Sequence, residues 1–176
     1  MKRLVAHIAP SILNANFADL ENEVSKIADV SDYLHLDIMD NKFVPNFTFT
    51  FEKAKEIIAF TKIPVDTHLM IVNPDEHAPR YAEAGSQSVT FHLEAATNVA
   101  QTIKDIRSNG AKVGVAIKPK TPFELVAPFL SDIDMLLIMT VEPGFGGQSF
   151  MVDQMVKVEM ARKAINTLND REILLQ

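Results

Sequence analysis

The 176 residues are 47% hydrophobic and 23% charged, which supplies apolar content for one full core and argues against a disordered chain. The formal charge of −6 comes with no basic run, so a nucleic-acid partner is not expected. The absence of cysteine excludes disulfides, thiolate metal sites and a cysteine nucleophile and fits a reducing, cytoplasmic setting, and no apolar run approaches the ~20 residues of a membrane span.

The opening MKRLVAHIAPSIL sets two basic residues before an apolar stretch, but His7 and Pro10 interrupt it and no small-residue cleavage pattern follows, which argues against a secretory leader. LVAHIA (4–9) reads as the first strand. Phe17, Leu20, Val24 and Ile27 then recur at helical spacing as one apolar stripe. Further β-rich runs follow at YLHLDI (33–38), IPVDTHLM (63–70), SVTFHL (88–93), KVGVAI (112–117) and DMLLIM (134–139), each trailed by a segment of helical period. Val99, Ile103 and Ile106 form one such stripe; Val152, Met155, Val156, Met160 and Leu168 form another. Gly85 and the Asn109-Gly110 pair stand where left-handed helix caps belong.

Strand and helix alternating six times imply a parallel sheet covered by helices. An open doubly wound sheet and a closed (β/α)8 barrel both satisfy that pattern. The first strand leads into PSILNANF rather than a glycine-rich phosphate loop, and the strands end on polar residues, so the expected fold is α/β, a (β/α)8 TIM barrel spanning 1–176 as a single domain.

Alternation along the second strand puts His35, Asp37 and Met39 on the inward face, and the third strand offers Asp66, His68 and Met70 likewise. A buried carboxylate without a cation costs several kcal/mol, and neither strand holds a Lys or Arg near Asp37. A divalent ion held by His35, Asp37 and His68 answers that cost, with donors suited to Zn2+, Fe2+, Mn2+ or Co2+. His92 is read as a hydrogen-bonded core residue or a further inward group, and His7 and His77 belong to no constellation. Met39, Met70 and Met139 are core fillers that also make an apolar collar around a substrate. VEPGFGGQSF (141–150) has glycines whose backbone can approach a phosphate and close as a lid.

The stretches IAPSILNANF, HLDIMDNKFVPN, VDTHLMIVNP, GVAIKP and IMTVEPGFGGQSF, in this order, resemble the ribulose-phosphate 3-epimerase family over essentially the whole chain. The resemblance implies an isomerase of the pentose phosphate pathway that interconverts D-ribulose 5-phosphate and D-xylulose 5-phosphate through an enediolate. It also implies a divalent metal on His35, Asp37 and His68, Asp37 as one of two acid/base aspartates, and Ser11, Met39, Met70 and Met139 as substrate-pocket residues. Gly144, Phe145, Gly146 and Gly147 match the mobile loop near the phosphate. A homo-oligomer, dimer or hexamer, is the expected assembly. Asn41 stands where the family usually has Gly, and Asn14 and Asn16 replace Ser and Asp. The family's second aspartate, also the fourth metal ligand, is expected just beyond Gln176, so the chain reads as a piece of a longer one cut within the seventh strand. Epimerisation of a ketohexose phosphate such as allulose 6-phosphate, and an inactive sugar-phosphate binder lacking the second aspartate, are the alternatives.

Overall fold

In the computed structural model, residues 5–168 and 172–176 are described. The chain runs through α1 (Leu20–Ile27), β1 (Leu34–Met39), α2 (Phe51–Phe60), β2 (Val65–Met70), α3 (Pro74–Glu83), β3 (Ser88–His92), α4 (Val99–Ser108), β4 (Lys112–Ile117), β5 (Met135–Ile138), α5 (Met155–Thr167) and β6 (Leu174–Leu175). All strand pairs are parallel and lie in sequence order, β1 to β6. Because that order never reverses, the sheet has no switch point of the doubly wound kind and winds as a barrel wall does.

Burial on both faces explains the strand composition. Leu34, Leu36, Ile38, Leu69, Val89, Phe91, Val113 and Val115 join one apolar cluster with helix residues such as Leu20, Val24, Ile57, Ala78 and Ile106. The alternate positions carry the buried polar residues His35, Asp37, Asp66, His68, Ser88, Thr90 and His92. The sheet therefore presents a greasy face to the helices and a polar one to the interior of its curve. Thr50 caps α2 by accepting from the amide of Lys53, and Asn98 caps α4 by accepting from that of Gln101. Gly85 (φ +104°) and Gly110 (φ +94°) take the left-handed cap conformation expected of them.

Three expectations are corrected. The 4–9 strand is the first: Leu4 lies outside the described residues, as does Arg171 near the chain's end, and 5–9 form no strand. The segment does run beside β1. The Ile8 carbonyl accepts from the amides of Asp32 and Tyr33, Pro10 accepts from His35, and Ser11 makes an isolated parallel bridge to His35. With β1 as its one neighbour among the described residues, a proline that cannot donate, and Val5 and Ile8 exposed, no ladder propagates. Second, the segment between β4 and β5 is 3-10 helical over Phe123–Leu125 and Ala127–Asp132, since Pro128 inside it removes a donor that an α-helix would need.

The third correction concerns helix faces. Helix α5 buries Ala161 and Ile165, whereas Val152 and Val156 are largely exposed and Met155 is partly so; Met160 and Leu168 do pack against the core. Phe17 precedes α1 rather than joining it and leans on the Phe49 ring at 4.7 Å. Among the described residues, no strand pairs with the outer edge of β6.

Candidate metal and substrate site

Parallel register builds the site. His35 is paired with Asp66, Asp37 with His68 and Met39 with Met70, so six inward side chains stand in three rows at the C-terminal ends of β1 and β2. The end of β1 is fixed by Thr48, which donates to the Asp37 carbonyl (2.7 Å) and accepts from the Met39 amide (3.0 Å). Asp40 points away from the polar rows and accepts from the amides of Lys42, Phe43 and Val72, which tie the β1 and β2 ends together. Burial raises and these donors more strongly lower the Asp40 carboxyl, leaving it below its usual range. Asn41 takes φ +56°, so asparagine serves the left-handed turn that glycine would otherwise serve.

Asp37 Oδ1 lies 3.4 Å from His35 Nε2 and 3.1 Å from His68 Nδ1, while Oδ2 accepts from Ser11 Oγ at 2.5 Å. Metal bonds of about 2.0–2.1 Å at tetrahedral angles set ligand atoms about 3.3 Å apart, so these spacings suit one ion between the two imidazoles and the carboxylate. Among the described residues, His35, Asp37 and His68 are the group whose ligand atoms all lie within 4.8 Å of one another.

The outer nitrogens are engaged as well. His35 Nδ1 meets Asp66 Oδ2 at 2.8 Å, and Asp66 Oδ1 accepts from Ser88 Oγ at 2.7 Å. His68 Nε2 meets His92 Nε2 at 3.0 Å. Burial disfavours charge on His35, yet the flanking Asp37 and Asp66 overcome it and raise the imidazole to about 10. Burial likewise opposes ionisation of Asp37, but the two imidazoles hold its carboxyl far below the usual range. The site thus demands positive charge at its centre. At its rear, burial pushes His92 down to about 4; Glu94, resisted by its own burial, is held at about 2 by His92, Thr121 and the Lys118 amide.

Above the three ligand atoms opens a cleft of about 970 Å3. Ser11, His35, Asp37, Met39, His68 and Met70 line one side of it. Met139, Gly144, Phe145 and Gly146 line the other, whereas Gly147 stands outside its wall. Met39 and Met70 pack with Val44, and Met139 with Ala116 and Leu137.

The glycine loop is latched: Asn46 Nδ2 donates to the Gly144 carbonyl at 2.8 Å, and Gln148 Nε2 donates to the carbonyls of Glu142 and Phe145. Gly144 sits at φ +120° with Val44 beneath it, and a side chain at Gly146 would meet Asn14 at 2.7 Å. Asn14 therefore forms part of the cleft edge, while Asn16 accepts from the Ala18 amide. Of the remaining histidines, His7 lies 3.8 Å from Asp32 and neither it nor His77 reaches the cleft.

The sequence puts Asp66 on the inward face without a role, and Thr48, Asn46 and Glu94 do not stand out in it at all. Asp66 alone carried a readable signal, two places before His68 on the same strand face.

Among the described residues, no helix is long and apolar enough to cross a membrane. Two solved structures share the fold at low identity. The tryptophan synthase subunit alpha from Campylobacter jejuni has a TM-score of 0.61 at 12% identity, over 97% of this chain and 77% of that one. A mutant tryptophan synthase alpha-subunit from Pyrococcus furiosus has a TM-score of 0.64 at 11% identity, over the same shares. Closer relatives appear by sequence. Ribulose-phosphate 3-epimerase from Mycobacterium tuberculosis is 49% identical over 159 residues, covering 90% of this chain and 69% of its own length. The enzymes of that name from Schizosaccharomyces pombe (45%; 93% and 74%) and Bacillus subtilis (36%; 96% and 78%) align similarly. Residues 7–175 match the family described as the ribulose-phosphate 3 epimerase family, and this chain, a parallel α/β protein of barrel type with isomerase relatives, belongs to it.

Proposed function

We propose that the chain is a metal-dependent 3-epimerase acting on D-ribulose 5-phosphate and D-xylulose 5-phosphate in the pentose phosphate pathway. The observation that carries the reading is the convergence of His35 Nε2, Asp37 Oδ1 and His68 Nδ1 beneath a cleft large enough for a sugar phosphate. The relatives' shared name supports the substrate. The cytoplasmic setting and the dimeric or hexameric assembly belong to the same proposal.

Inverting C3 beside the C2 ketone requires a proton to leave from one face and another to arrive on the opposite face. The C3–H electron pair becomes the C2–C3 double bond while the carbonyl π pair moves onto oxygen, giving an enediolate. When bound, a divalent cation (Zn2+, Fe2+, Mn2+ or Co2+) supplies Lewis-acid stabilisation of charge on the substrate oxygens. Asp37 divides its work between its oxygens. Oδ1 faces the imidazoles, and Oδ2, held by Ser11, takes or returns the C3 proton on one face. The opposite face needs a second acid/base group, the aspartate that the family resemblance implies beyond Gln176. Met39, Met70 and Met139 exclude water around the reacting carbon, and the 144–147 loop, latched through Asn46, closes on the phosphate end.

The test is deuterium exchange at C3 of ribulose 5-phosphate in D2O, followed by NMR with each cation supplied. The parent protein should incorporate deuterium, and Asp37→Asn should lower the rate by about 100-fold or more. Full exchange in Asp37→Asn would overturn the assignment.

A further inference from the structure

His92 is completely buried at the end of β3 and does not line the cleft. Its two nitrogens are nonetheless both committed. Nε2 faces His68 Nε2 at 3.0 Å, and Nδ1 faces Glu94 Oε2 at 3.3 Å. Glu94 sits in the 3-10 turn Leu93–Ala95, and its other oxygen accepts from the Lys118 amide at 2.7 Å and from the Thr121 hydroxyl. The Phe43 ring packs against His92 at 4.9 Å between centroids and itself lies under the Lys118 ammonium, 3.7 Å away. Nothing in this cluster touches the cleft, yet it is as closely built as the cleft itself.

Hydrogen-bond direction gives the cluster a purpose. A carboxylate only accepts, so His92 must donate through Nδ1. A neutral imidazole has one N–H, which leaves a lone pair on His92 Nε2. His68 must then donate through its own Nε2, so the lone pair of His68 lies on Nδ1, the nitrogen that faces Asp37. Asp66 does the same to His35 in one step: accepting from Nδ1, it leaves the lone pair on Nε2. With an ion in place of the proton that His35 otherwise holds beside Asp37, both nitrogens next to Asp37 Oδ1 present lone pairs to it.

We propose that Glu94 and His92 are positioning residues that lock His68 in its metal-ligating tautomer, a two-step counterpart of the Asp66–His35 pair. This inference rests on the metal reading above. It adds that affinity for the ion is set from Glu94, a residue with no contact to substrate or ion.

Glu94→Gln tests it directly. The substitution keeps an oxygen for Lys118 and Thr121 but turns an amide N–H2 toward His92 Nδ1. His92 must then carry its hydrogen on Nε2, opposite the N–H of His68, and His68 escapes only by protonating the ligating Nδ1. Binding of Co2+ to the metal-stripped protein, read by competition with a chromophoric chelator, should weaken about 10–100-fold. The melting temperature of the stripped protein reports separately on folding. His92→Gln and His92→Leu provide a second test that does not involve Glu94. The glutamine oxygen can accept from His68 and should keep Co2+ affinity within about threefold, whereas leucine should lose about 10–100-fold. Glu94→Gln binding Co2+ like the parent, or His92→Gln and His92→Leu binding alike, would overturn the relay while leaving the metal site intact. A parent protein that binds no divalent ion, with Asp37→Ala making no difference, would remove both.

Discussion

Gly114 faces Thr90 across the β3–β4 ladder, and the space a side chain would need there is already taken. A Cβ at position 114 would stand 2.1 Å from Thr90 Oγ1, 2.9 Å from its Cβ and 3.1 Å from its Cγ2. Ordinary contact would require a retreat of roughly 1 Å, and Thr90 is completely buried, so rotation of one side chain does not provide it. Strand β3 itself must shift. Overpacking of this kind costs about 1–3 kcal/mol, which at this chain length lowers the melting temperature by about 2–4 °C per kcal/mol. The predicted result for Gly114→Ala is a lower urea midpoint at unchanged slope, together with weaker Co2+ binding, because His92 rides two residues beyond Thr90 on the displaced strand. Among the described residues Thr90 Oγ1 is a buried hydroxyl with no hydrogen-bond partner, so Thr90→Ala gives up little. In the double variant most of the loss should return, leaving a coupling of about 1 kcal/mol or more. Gly114→Ala unfolding at the parent midpoint, or strict additivity with Thr90→Ala, would refute this reasoning.

Two further outcomes are expected. Asp75, in the first turn of α3, accepts from the amides of Thr97 and Asn98 and from Thr102 Oγ, and so fastens the start of α4. Asp75→Ala should cost about 1–2 kcal/mol by chemical denaturation at neutral pH. Burial raises and these donors more strongly lower the folded carboxyl relative to the ordinary 3.8. The contribution is therefore whole above that value and fades as pH falls through the lower folded one, so parent and variant curves should converge in acid; a constant difference down to full protonation would contradict it. Asn46→Ala removes the amide that holds Gly144, and a neutral hydrogen bond of about 0.5–1.5 kcal/mol translates into a KM for the sugar phosphate raised about 2–10-fold. Faster limited proteolysis near Phe145 should accompany it, and unchanged KM and cleavage would dismiss the latch.

Period-two alternation sufficed to bring His35, Asp37, Met39 and their β2 counterparts to one face, because a strand's facing is a local property. Which residue stands beside which is not local. That Asp66 falls opposite His35 depends on how β2 registers against β1, and nothing within either strand declares it. Glu94 was harder still, since it acts through His92 from a 3-10 turn that carries no apolar rhythm. Helix α5 differs for the opposite reason: it and the 3-10 turn before it carry apolar residues on two faces, and the larger Val152, Met155 and Val156 lie on the exposed one while the small Ala161 lies in the core. Segment 4–9 has the composition of a strand, but among the described residues 5–9 run beside β1 alone.

The rim of the cleft is asymmetric. On the side of β1 and β2, the Asp40 carboxylate gathers three amides from two strand ends, so that border yields only if a charged group loses its donors together. On the β5 side, a single neutral amide bond from Asn46 spans to the loop. A charged anchor with three donors resists displacement more than a lone neutral hydrogen bond does, so the two borders of the cleft differ in how firmly they are tied.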